Sequence, residues 1–219
     1  MGQLRLTRSR RYVILMTLAA AVPAVAGDGT AMRLERAAAV LHSMTEPAHA
    51  IKPEHLAGAD CIVVMPGFKI RAAVVGVGYG RGYMSCRKGD GWSVPAAMVL
   101  EGGSVGLQIG GESIDIVILT MNKGYRWKLW EERFALGSEA SAAWGNGKSA
   151  HEDPNAKFLF YGIAKGVFGG FGLDGAALKR DASGNRALYG KNMTTYEVID
   201  QMSVTPEISS RFIAALPQE

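Results

Sequence analysis

Gly102-Gly103-Ser104-Val105-Gly106 fits the spacing G-x-S-x-G, which in a hydrolase exposes a nucleophilic serine on a sharp turn from strand to helix. The surroundings argue against that chemistry. The residues after Ser104, VGLQIGGESIDIVIL, alternate as a strand does and carry no helical period. Asp115 lies only a few residues further on, and His151 sits in a polar, turn-rich stretch, so no serine triad is read. Gly76, Gly78, Gly80 and Gly82 recur at every second position. A dinucleotide loop needs G-x-G-x-x-G between strand and helix, and that spacing is absent. Glycine along one strand face instead marks a bent sheet that another backbone, a helix or a flat ligand can approach closely. His42, His49 and His55 do not share a metal spacing on one helix, and no thiol or carboxylate is placed to help them. Asp115 and Asp174 fall on strand-like runs, where a carboxylate held by hydrogen bonds serves structure. No catalytic residue, metal site or cofactor is expected.

Two further groupings leave alternatives open. Cys61 and Cys86 each lie in or beside a strand-like run. They form a disulfide if those strands pair, or stay as buried thiols if they do not. Lys123, Arg126 and Lys128 flank Trp127 and Trp130 on a short helical stretch. Rings and cations in that mixture suit a membrane interface, and equally a docking helix whose tryptophans fill the core.

The elements that must position these residues centre on 76–111, a glycine-studded stretch with alternating apolar residues. A helix is expected over 31–44, with Met32, Leu34, Ala38, Leu41 and Met44 as its stripe and Arg33, Glu35 and Arg36 off it. Pro53 opens a short helical turn. Strands are expected at 61–65, 70–79, 81–87, 92–100, 104–110 and 113–121, with a turn at Pro66-Gly67 and a hairpin at 88–91. A short helix follows over 122–130, alternation over 134–144, and an exposed loop over 145–155. Strands at 157–161 and 167–178, a loop at 181–185 and short helices at 195–202 and 206–216 complete the chain. The fold class is α+β: one domain with a large, strongly bent antiparallel sheet, barrel-like in the limit, and a few short flanking helices.

Residues 1–26 contain Arg5, Arg8, Arg10 and Arg11, then a short apolar run, then Ala24-Val25-Ala26. This is the layout of a secretory signal, and the run is shorter than the roughly 20 residues a spanning helix needs. An uncleaved anchor is the alternative. The expected organisation is therefore a signal peptide over 1–26, a domain over 27–219, and a periplasmic or exported location with membrane association. The whole chain has 24 basic and 20 acidic residues. Removing the four arginines of the signal leaves a neutral mature chain, so the basic balance is no nucleic-acid footprint.

The segments ADCIVVMPGFK, GVGYGRG, GWSVPAAMVLEGGSVGLQIGGESIDIVILTMN, FALGSEASAAWG and FLFYGIAKGVFGGFGLDGAAL, in that order and followed by Tyr189-Gly190, resemble the bacterial SYLF-domain proteins. These are related to the actin-patch domain of fungal and animal endocytic proteins, and the match spans about 34–190. The resemblance implies a lipid-binding domain without catalysis, whose relatives use phosphoinositide membranes and an N-terminal amphipathic segment. The corresponding segment is the first helix, with Arg33 and Arg36 on its polar face. AAWGNGK stands where the family has a Gly-Pro turn and a basic residue. YGIAKG stands where a Tyr-Ser-Arg motif is common, with Lys165 kept. The expected contact with anionic lipid uses Arg33, Arg36, Lys165, Lys128 and Trp127, the first helix laying its apolar stripe on the bilayer. The competing expectation is an envelope protein-interaction or scaffold domain. An apolar-ligand carrier would need a cavity inside the sheet.

Overall fold

The computed structural model describes residues 28–46, 51–72, 76–102, 112–136, 140–142, 157–164 and 175–218. Residues 1–26, Ser104, His49, His151, Lys165, Asp174, the expected strand 104–110 and the expected loop 145–155 lie outside them. The chain runs α1 (Asp28–Thr45), α2 (Pro53–Gly58), β1 (Cys61–Ala72), β2 (Gly76–Lys88), β3 (Gly91–Trp92), β4 (Ala96–Glu101) and β5 (Glu112–Thr120). A 3-10 helix (Lys123–Trp130) is followed by β6 (Arg133–Ala135), β7 (Ala140–Ala142), β8 (Phe158–Ala164), β9 (Ala177–Arg180) and α3 (Ala182–Tyr189). A π-helical turn (Glu197–Gln201) and α4 (Ser210–Ala214) close it.

The sheet order is β6-β9-β4-β2-β1-β5-β8-β7, with β3 pairing β2. Every pair is antiparallel except β7 with β8. The sheet is strongly curled into a half-barrel. The curl can be read from side chains: Phe134 of β6 and Phe158 of β8 come from opposite ends of the strand order, yet their rings are 5.3 Å apart.

Two corrections concern β1 and β2. The expected turn at Pro66-Gly67 is a bulge inside one long strand. The register of β1 slips there against both β2 and β5. Gly67 takes a positive φ of 64°, and its N–H donates to Asp115 Oδ1 at 2.7 Å. The expected strand 70–79 is divided, because Ala72 pairs with Gly76 across a chain reversal. The bulge also explains the glycines. It swings Phe68 over the β2 face that bears Gly78 and Gly80, so this chain's own ring fills the expected close approach.

Strand alternation sorts the core into two layers. Cys61, Val63 and Met65 of β1 join Met84, Met98, Ile116 and Phe158 inside the curl. Ile62 and Val64 face the other way, toward Leu34, Leu41, Met44 and Phe212 of the helices. Among the described residues, large buried side chains occupy the inner layer. Cys61 and Cys86 are direct register partners and are joined as a disulfide, both fully buried.

The expected loop at 181–185 is the start of α3. Asp181 caps it by accepting from Gly184 N–H at 2.9 Å, and Gly190 ends it with a left-handed φ of 73°. The expected strand 92–100 breaks after Trp92, where Ser93 Oγ accepts from Cys86 N–H, and resumes as β4.

Candidate functional site

Helix α1 buries Leu34, Ala37, Val40, Leu41 and Met44, at the spacing of one helical face. The expected stripe was rotated in part: Met32 is 51% exposed and Ala38 half-buried, while Ala37 and Val40 lie inside. Leu34, Leu41 and Met44 pack on Ile62, Val64, Tyr83, Val117 and Leu119 of the outer sheet face. Each large side chain so buried contributes roughly 2 kcal/mol. The expected mechanism, an apolar stripe laid on a bilayer, is therefore corrected: that stripe is held by the sheet.

What α1 presents outward is Met32, Glu35, Arg36 and, partly, Arg33. Gly29, Met32, Arg33 and Arg36 line one open cleft of about 240 Å³, and Pro66 at the β1 bulge forms its far wall. Arg33 lies beside the buried Tyr83 hydroxyl, which donates to Thr30 O at 3.2 Å. Burial pushes the Tyr83 hydroxyl above its ordinary value, and the Arg33 guanidinium partly offsets that. Glu35, the acid nearest in sequence, is paired with Arg211 at 2.9 Å. Among the described residues, no ion pair ties down Arg36. The cleft thus offers two cations, Arg33 beside the Tyr83 hydroxyl and the exposed Arg36, next to an exposed thioether.

The 3-10 helix Lys123–Trp130 sits on the inner layer through the buried Leu129. Asn122 caps it by accepting from Gly124 N–H at 2.7 Å. Arg126 Nε donates to Asp60 Oδ2 at 2.8 Å and Nη2 to the Arg87 carbonyl at 2.8 Å. That arginine is structural. Trp127 is 54% exposed and does not fill the core, whereas Trp130 is half-buried with its ring 5.0 Å from Tyr196. Lys128 Nζ lies 5.0 Å from the Tyr125 ring and 5.8 Å from that of Trp127. The docking reading holds for Trp130, while Trp127 faces solvent.

The structure therefore brings Arg33 and Arg36 together, and Trp127 and Lys128 together, but not the two pairs. One pair stands on the outer layer of the sheet and the other on the inner. Pro66 and Tyr83 join the first site unexpectedly. The proline read as a turn, and nothing in the sequence tied Tyr83 to Arg33. Tyr196 joins the second with no local signal. Among the described residues no cluster of three or more His, Cys, Asp or Glu could hold a metal ion. His42 is exposed beside Glu46, and His55 Nδ1 lies 2.5 Å from the Tyr161 hydroxyl. No described helix is long and apolar enough to cross a membrane.

The chain is similar to an SH3 domain-containing protein of Schizosaccharomyces pombe, 29% identical over 192 residues, covering 78% of this chain and 43% of that protein. It is 27% identical to protein YSC84 of Saccharomyces cerevisiae over 204 residues, 83% of this chain and 42% of that one. The human SH3 domain-containing YSC84-like protein 1 is 27% identical over 179 residues, 75% of this chain and 52% of its own length. The chain thus spans about half the length of the curated relatives it matches. Residues 101–218 match the family model described as Ysc84, Las17-binding protein actin regulator. That match covers more than half of the sequence, and the chain belongs to the Ysc84, or SYLF-domain, family.

Proposed function

We propose that this chain is an exported, non-enzymatic domain that binds an anionic phospholipid surface in the cell envelope through the outward face of α1. The observation that carries the reading is the cleft in which Arg33 and Arg36 converge with exposed Met32 and Pro66. Guanidinium groups meet phosphate oxygens as paired donors, and a thioether beside them can enter the headgroup boundary. Because the helix stripe is already buried, the contact has little apolar area of its own. A basic residue near an anionic surface contributes about 1 kcal/mol, so two give weak binding that salt weakens further. Lys165 would add to it from outside the described residues. The buried disulfide supports an oxidising compartment, as removal of a signal over 1–26 would provide.

The test is co-sedimentation of residues 27–219 with phosphatidylcholine vesicles and with vesicles containing phosphatidylglycerol, at low and high salt. Added binding to the anionic vesicles, lost at high salt and lost in Arg33→Glu with Arg36→Glu, supports the reading. An unchanged variant removes this face from consideration. A second reading is favoured by the names of relatives, one of which is LAS seventeen-binding protein 3 of Saccharomyces cerevisiae. A domain of that kind would hold a protein partner, ignore vesicles and retain an envelope protein in a pull-down.

A further inference from the structure

The aromatic edge opposite α1 is not used by the α1 cleft. In a 3-10 helix residues i and i+3 eclipse, so Trp127 and Trp130 share one edge of Lys123–Trp130. Tyr196, 40% exposed, meets the Trp130 ring at 5.0 Å and extends that edge. The rings are held in place from behind. Leu129 is buried, and Arg126 binds both the Asp60 carboxylate, just before β1, and the Arg87 carbonyl of β2.

The charges around the edge are mixed. Lys123 is exposed and Lys128 Nζ lies 5.8 Å from the Trp127 ring, while Glu131, directly after Trp130, is exposed. Glu132 is paired with Arg180 at 3.0 Å. Such a border does not complement a uniformly anionic surface. It complements a zwitterionic headgroup, whose phosphate meets the lysines and whose ammonium meets ring faces and Glu131. Tryptophan and tyrosine settle at that depth of a bilayer because one end of each ring system is apolar and the other polar.

We propose that the exposed rings of Trp127 and Tyr196, with Trp130 packed against Tyr196 as their support, form a second membrane contact, specific for a zwitterionic phospholipid surface. It stands on the opposite side of the sheet from the Arg33/Arg36 cleft. One flat bilayer cannot meet both sides, so a domain that uses both joins two membranes. This last step rests on the proposed α1 contact; the aromatic contact itself does not.

The experiment uses residues 27–219 and phosphatidylcholine vesicles carrying brominated acyl chains. Wild type should show quenched tryptophan fluorescence that high salt leaves in place, since ring insertion is not screened. Trp127→Ala with Tyr196→Ala should lose the quenching, and Arg33→Glu with Arg36→Glu should keep it. These side chains are exposed, and a near-ultraviolet circular dichroism spectrum checks that each variant is folded. Mixing phosphatidylcholine with phosphatidylglycerol-containing vesicles should then give clusters by light scattering with wild type only, each variant leaving vesicles separate. Quenching that survives Trp127→Ala with Tyr196→Ala overturns the aromatic contact. A lipid-free dimer that dissociates in that variant also overturns it, since the edge then holds a second copy. Quenching without clustering overturns the two-sided arrangement. Quenching by phosphatidylcholine with no added binding to anionic vesicles rejects the α1 reading and leaves the aromatic contact standing.

Discussion

Replacing Gly82 by alanine tests the account of the glycine stripe most directly. A Cβ built on Gly82 would lie 2.8 Å from the Val64 carbonyl carbon and 2.8 Å from Met65 Sδ, with the Val64 oxygen nearer still. Ordinary Cβ contacts begin near 3.4 Å, so one strand must move away from the other. The sulfur can swing aside, but the carbonyl cannot: Val64 and Tyr83 are register partners in the β1–β2 ladder, and the disulfide ties the same two strands. Overpacking of a well-packed core costs typically 1–3 kcal/mol, and a backbone clash belongs at or above the upper end. We expect about 3 kcal/mol, out of a total of roughly 5–15 kcal/mol for a domain. With a urea slope of about 2 kcal/mol/M the unfolding midpoint falls by roughly 1.5 M. Gly80→Ala should fall less, because its Cβ would meet the Phe68 ring at 2.8 Å, and a ring can tilt. Gly89→Ala has open space but a φ of +59°, and should cost about 1 kcal/mol. Gly91→Ala has neither obstacle and serves as the control. Urea melts followed by circular dichroism rank the four. If Gly82→Ala melts with the Gly91→Ala control, the strands do not approach as described and the explanation of the stripe fails.

Three further outcomes follow from the same structure. Both cysteines are fully buried, so reductant without denaturant should release no thiol in a thiol titration, while Cys61→Ala with Cys86→Ala should cost about 3 kcal/mol in a denaturant melt. Arg126→Met leaves the Asp60 carboxylate, 2% exposed, without its ion-pair partner; a loss of about 3 kcal/mol is expected, and Asp60→Asn added to it should recover part of that loss in the same melt. Lys179, with Arg133 beside it, holds the Glu101 carboxyl below its ordinary range, so Glu101 adds stability above the unfolded carboxylate range that fades as pH falls through the lower folded value. Melts from pH 7 to pH 3 should therefore show a shallower acid loss in Glu101→Gln than in wild type.

Local pattern was enough for elements whose cause is local. β5 reads directly from its unbroken apolar run, and α2 from Pro53 at its first turn. α3 did not, because Ser183-Gly184-Asn185 are weak helix formers. Its causes lie elsewhere in the chain. Ala97 N–H donates to Asn185 Oδ1 at 2.8 Å, Asn185 Nδ2 donates to Met193 O at 3.0 Å, and Arg81 binds the Asp181 cap at 3.0 Å. Gly184 is required because a Cβ there would run into the side chain of Ala97. Pro66-Gly67 has turn composition, yet both flanks of β1 continue on the same two partners, which only pairing reveals. The same limit applies to the candidate site. Arg33 and Arg36 were legible as the polar face of a helix. That their neighbour would be Pro66 of a bulge, and that Met32 would turn outward, depended on how the sheet grips the helix. Trp127 and Trp130 were visible as a pair, but which one faces water was decided by Leu129 and Tyr196.

The position of β9 bears on how the protein is made. This strand, Ala177–Arg180, is inserted between β4 and β6; α3 follows it directly and α4 comes later still, both for the outer face. Until residue 180 has left the ribosome β4 has an open edge, and until residue 214 has left it α1 has no α4 to pack against. Pairing across such sequence distances is slow to form. A nascent chain of this design reaches its closed shape only after the α4 residues have been made, long after β1 and β2.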